Sequence, residues 1–135
     1  MASRKTHPFE WLDRRIAAPG PYLTLVLSQE EFDTALKHLD IPLGAPFVKN
    51  THSHATTHTC TNQKGELCCI IAMAEWDGRD PIEVAGLLVH EAVHVWQDYA
   101  GRIGEHTPGT EQEAYAVQCI AQELMAEFAR RVGAR

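Results

Sequence analysis

Alternation of apolar and polar residues first becomes clear at residue 21. In PYLTLVLS, Leu23, Leu25 and Leu27 recur two apart, which predicts a strand with one leucine face. Ser28 then begins a helix, and Ser28-Gln29-Glu30-Glu31 has the form of a capping box. Phe32, Ala35, Leu36 and Leu39 supply the apolar stripe of that helix. Upstream, residues 7–18 have the spacing of a short amphipathic helix that stops at Pro19-Gly20-Pro21. IPLGAP, residues 41–46, reads as a loop because two prolines and a glycine interrupt it. Residues 51–60 and 66–76 predict two strands joined at Asn62-Gln63-Lys64-Gly65, a hairpin turn. The first of these is polar and half exposed. The second, ELCCIIAMAEW, is almost wholly apolar and belongs in the centre of a sheet.

Two longer helices complete the chain. Asp80 caps the first, Pro81 takes its first position, and Glu83 stands where a second capping box requires an acid. That helix extends to about residue 100. Residues 101–109 form a loop, and a last helix covers about 110–132. Its buried face is read as Ala114, Val117, Ile120, Ala121, Leu124 and Phe128. Strand, helix, hairpin, helix, helix is the order of an α+β domain.

Composition narrows the function classes. The 135 residues predict one domain, 1–135, of ordinary globular make-up, with 44% hydrophobic and 22% charged residues. A net charge of −6 argues against nucleic acid as a partner. The basic clusters are terminal: Arg4, Lys5, Arg14 and Arg15 at one end, Arg130, Arg131 and Arg135 at the other. They read as solvated ends. No apolar run approaches the roughly 18 residues of a membrane span, so no membrane partner is expected. The first fifteen residues contain no apolar signal-peptide core, so a cytoplasmic location is expected. Cys60, Cys68, Cys69 and Cys119 form no C-x-x-C pair and are expected to be reduced thiols. Cys119 is read as core packing.

The chemistry centres on HEAVH in the helix that starts at residue 81. His90 and His94 are four apart, so both imidazoles project from one face, and Glu91 stands beside them. This is the spacing of zinc hydrolases: two imidazoles hold the metal and the carboxylate reaches its water. Leu87, Leu88, Val89, Ala92, Val93, Val95 and Trp96 surround the three, so the helix is expected to be buried on nearly all sides. Three buried polar side chains would need partners, and a divalent cation would supply one.

LLVHEAVHVW resembles the zincin metallopeptidase signature, and EQEAY, residues 111–115, resembles the glutamate-bearing helix of gluzincins. No H-x-x-G-x-x-H continuation follows, which sets the metzincins aside. The pattern is similar to small zincins encoded by tailed phages and prophages; if phage-encoded, the location is the host cytoplasm. The resemblance covers residues 81–128 and implies a twisted sheet packed on the motif helix, with a C-terminal helix delivering a third ligand. It also implies one zinc ion per chain, held by His90, His94 and Glu111. Glu113 is the alternative: it lies 19 residues beyond His94, the distance in families of fixed spacing. Three protein ligands leave an open position for water, the arrangement of a catalytic site. Glu91 is then the general base. Tyr115 and His106 are candidates for orienting a ligand or stabilising an oxyanion, with Tyr99 as a further donor.

The expected activity is zinc-dependent hydrolysis of a peptide or protein substrate. An extended peptide would add to a sheet edge, for which residues 51–58 are the candidate. The alternative is a zincin-fold phage accessory, structural or regulatory protein that binds without efficient turnover. His52, His54 and His58, with Cys60 in phase, suggest either a second chelating strand or a polar strand face.

Overall fold

A computed structural model describes residues 21–49 and 54–133. Its elements run β1 (Tyr22–Val26), α1 (Gln29–His38), β2 (Ala55–Thr61), β3 (Leu67–Met73), α2 (Pro81–Arg102) and α3 (Thr110–Val132). The amphipathic helix expected at residues 7–18, and Arg4, Lys5, Arg14, Arg15, His52 and Arg135, lie outside the described residues.

The strands form a mixed sheet in the order β1-β3-β2, with β1 parallel and β2 antiparallel to β3. β3 is buried along its whole length, as its apolar run requires. It is hydrogen-bonded on both edges and covered on both faces. Residues of opposite parity face opposite layers. Leu23, Leu25, Cys69, Ile71 and Met73 pack against α2 and α3, while Val26, Ile70 and Ala72 pack against Phe32 and Leu36 of α1. The fold is therefore α+β, with one helix on one side of the sheet and two on the other.

Local signals place the ends of the elements. The Ser28 hydroxyl accepts from the Glu31 amide at 3.1 Å, and the Glu31 carboxylate accepts from the Leu27 amide at 2.8 Å, one residue earlier than a strict capping box. Asp80 accepts from the Ile82 amide at 2.7 Å, ahead of Pro81. In the hairpin, the Asn62 side chain accepts from the Lys64 and Glu66 amides, and Gly65 takes the left-handed φ of 77° that closes the turn.

Three expectations are corrected. Arg131 is not a solvated end: its side chain is only 5% exposed. It donates to the Leu25 carbonyl at 2.8 Å and pairs with Glu31 of α1 and with Glu127. One turn of α3 thus clasps the end of β1 and the start of α1, a contact between residues about a hundred positions apart. Cys119 is exposed rather than packed in the core. Ala114 is also exposed, because the contact face of α3 runs through Ala116, Ile120, Leu124 and Glu127.

Candidate metal centre

On α2, Leu88, Ala92, Val95 and Tyr99 are buried against the sheet and α3. Glu91 is three residues from Leu88 and four from Val95, so it shares their face and is only 4% exposed. His90 and His94 fall on the adjoining strip of the helix, which faces outward. The His90 side chain is 67% exposed, and His94 is exposed as well. This corrects the expectation of three buried polar groups. Burial imposes no need for a cation on the histidines; their mutual geometry is the informative feature.

The Nε2 atoms of His90 and His94 lie 3.2 Å apart, with the rings at 75° and their centroids 4.8 Å apart. Two imidazole nitrogens on a tetrahedral zinc, each at about 2.0–2.1 Å, stand about 3.3–3.4 Å from one another. The pair therefore fits two adjacent coordination positions. The Gln97 Oε1 atom lies 3.2 Å from His94 Nδ1. With the proton on Nδ1, donated to that oxygen, the lone pair is on Nε2, where a metal needs it.

Glu91 divides its carboxylate between two neighbours. Oε1 accepts from the Thr57 hydroxyl of β2 at 2.8 Å. Oε2 lies 4.0 Å from His90 Nε2, on the side of the imidazole pair. One oxygen is anchored to the sheet and the other lies on the His90 side.

The start of α3 does not join this group. Glu113 Oε2 accepts from the Trp96 indole at 2.8 Å. Trp96 follows His94 by two positions, so it leaves α2 from a very different side. Glu111 is exposed. Among the described residues, no three His, Cys, Asp or Glu side chains stand together as a metal site. The structure brings His90, His94 and Glu91 together, and neither glutamate of α3 with them. Tyr115 is 66% exposed and shares a cavity of 370 Å³ with Trp96, Tyr99, Ile103 and Cys119, while His106 is exposed on the 103–109 connection. A larger cavity of 510 Å³ lies between the ends of α2 and α3, bounded by Trp76, Arg79, Leu88, Met125 and Phe128. His90, Glu91 and His94 line neither cavity.

His58 of β2 and His54 just before it have other partners. His58 places Nε2 at 2.8 Å from the Phe47 carbonyl and its ring at 4.4 Å from Phe32, on the α1 side of the sheet. His54 Nδ1 lies 2.9 Å from Arg79. Each is engaged with a structural neighbour. Sequence reasoning missed Gln97 and Thr57. Gln97 follows His94 by three residues, a helical spacing that could have revealed it. Thr57 is 34 residues from Glu91, and no local pattern announces that contact.

Compared with protein-family models, with curated proteins and with solved structures, the chain matches none.

Proposed function

We propose that this chain is a zincin-like, zinc-dependent metallohydrolase that cleaves peptide bonds. The carrying observation is the 3.2 Å separation of His90 Nε2 and His94 Nε2, with Glu91 Oε2 at 4.0 Å from His90 Nε2. His90 and His94 would hold the zinc. Glu111 is the proposed third ligand, and Glu113, bonded to Trp96, is the alternative. When bound, zinc supplies Lewis acidity, which acidifies water and polarises a carbonyl. Glu91 accepts a proton from the attacking water on Oε2 and returns it to the departing amine. Thr57 holds the other oxygen during that exchange, and Gln97 keeps His94 in its ligating tautomer. An extended peptide pairs with the outer edge of β2, beside the base.

A second reading is a zincin-fold phage accessory, structural or regulatory protein that binds without efficient turnover. It is favoured by the position of Glu113 and by His90, Glu91 and His94 lining neither described cavity.

Zinc content and cleavage together separate the readings. The purified chain is expected to carry about one zinc, and His94→Ala to lose it. Glu91→Gln is expected to keep zinc and fold while slowing cleavage of a library peptide by about 10²–10⁴-fold, the usual loss for a general base. Zinc retained in full by His94→Ala would sink the metal site. Zinc-loaded wild type that cleaves nothing in a broad library would favour the binding reading.

A further inference from the structure

We propose that Thr57 is the positioning residue of Glu91 and that it links peptide pairing to alignment of the base. This rests on the metallopeptidase reading above and adds a residue that no sequence motif supplies. Three observations meet at Thr57.

The first is the hydrogen bond from its hydroxyl to Glu91 Oε1 at 2.8 Å. The Glu91 carbonyl is 3.4 Å from the same hydroxyl, so its single proton goes to the nearer carboxylate oxygen. A carboxylate turns about its last side-chain bond in a broad, weakly restrained well. Anchoring one oxygen removes that freedom and leaves the other beside His90, 4.0 Å from its Nε2.

The second is burial. Glu91 is 4% exposed, so water competes poorly for Oε1, and a neutral hydroxyl is the donor that meets it.

The third is the main chain. Asn62 donates to Glu66 at 3.0 Å and Ala74 donates to His54 at 2.8 Å, so even-numbered residues of this strand pair with β3. In an antiparallel ladder the alternate residues turn their amides and carbonyls the other way. Ala55, Thr57 and Thr59 therefore face the outer edge of β2, which is an edge strand of the sheet among the described residues. Thr57 presents its backbone to an incoming peptide strand and its hydroxyl to the base. A peptide that pairs with β2 steadies the residue that aims Glu91.

Thr57→Val removes the hydroxyl at nearly constant shape, and Thr57→Ser retains it. The test uses the full zinc-loaded chain and a peptide that the wild type cleaves. Thr57→Val is expected to keep KM within about twofold, because the main chain is unchanged, and to lose kcat by about ten- to a hundredfold, the usual effect of deleting a partner that orients an active group. Thr57→Ser is expected to recover most of that loss. Zinc affinity, read by competition with a chelator, should not change, since Thr57 is no ligand. Acetohydroxamate gives a readout without turnover: its hydroxyl proton needs an aligned acceptor, so binding should weaken in Thr57→Val and recover in Thr57→Ser. Thr57→Ala repeats the comparison if the valine variant does not fold.

Wild-type kcat and acetohydroxamate binding in Thr57→Val would overturn the positioning role, as would serine failing to restore either. Zinc loss in step with kcat would make Thr57 structural. Wild type without zinc or cleavage overturns the metallopeptidase reading itself, and the role of Thr57 falls with it.

Discussion

Glu111 and Glu113 are two residues apart on one helix, and their surroundings separate them. Both are exposed, and Glu113 is tied to the Trp96 indole. Glu111→Gln is expected to weaken zinc binding at least tenfold in a chelator competition, in the range for loss of a ligand or its orienting partner. Glu113→Gln should do less, because glutamine keeps an oxygen for the indole. The reverse order would assign the third ligand to Glu113. The cysteines offer an independent check. Burial pushes the Cys69 thiol up to about 12 and the Cys60 thiol to about 11, and burial also raises Cys68. Cys119 is exposed. At pH 8 one thiol, Cys119, is expected to alkylate quickly in the native protein, and Cys119→Ser should abolish the fast phase. The shifts also set an alkaline limit. A thiol that ionises later when folded than when unfolded contributes stability below the ordinary value of 9.0, and that stability is lost as pH rises toward 12. Melting temperature should therefore decline above pH 9, less steeply in Cys69→Ala than in wild type.

At the scale of elements, the helix caps were readable because each is a contact within three or four residues. Ser28 with Glu31 and Asp80 before Pro81 needed no tertiary information. The hairpin at 62–65 was readable for the same reason. Arg131 was not. From sequence it is one of several basic residues in the last turn of a helix, where the helix dipole favours a cation at the surface. Only the packing of α3 across the sheet brings it to the Leu25 carbonyl and Glu31. Arg131→Leu removes the side-chain donor from that carbonyl and the cation from a partly buried carboxylate that keeps the Leu27 amide, and is expected to cost about 3 kcal/mol in denaturant unfolding, the range for breaking a buried pair. Arg130→Leu should cost less, because the Arg130 side chain is 39% exposed and Glu127 keeps Arg131.

Across the whole molecule, α2 has one face against the sheet and α3 and another facing outward. This split puts Glu91 inside and the two histidines outside, although the three are nearly consecutive. A cation held there binds the folded chain and not the unfolded one. Zinc at a hundredfold excess over its dissociation constant is expected to stabilise the fold by about 2.7 kcal/mol. Differential scanning should show a rise in melting temperature on adding zinc and a fall with a chelator, and neither in the His90→Ala, His94→Ala double variant. An unchanged wild-type melting temperature would count against the metal centre.

The sequence by itself determined the six described elements and the i,i+4 histidine pair, because hydrophobic period, capping and helical spacing are local. It also determined that β3 would be central, since a run as apolar as LCCIIAM is stable only when covered on both faces. The tertiary structure decided the rest. Whether the histidines are buried depends on which strip of α2 the sheet and α3 cover, and an apolar-rich helix leaves that choice open. Which glutamate meets α2 depends on how α3 lies against it, and there Trp96 takes Glu113. The partner of Glu91 depends on β2 lying beside α2, a contact between residues 34 positions apart. Spacing along a chain specifies what one element can present. Only the packing of elements specifies what it meets.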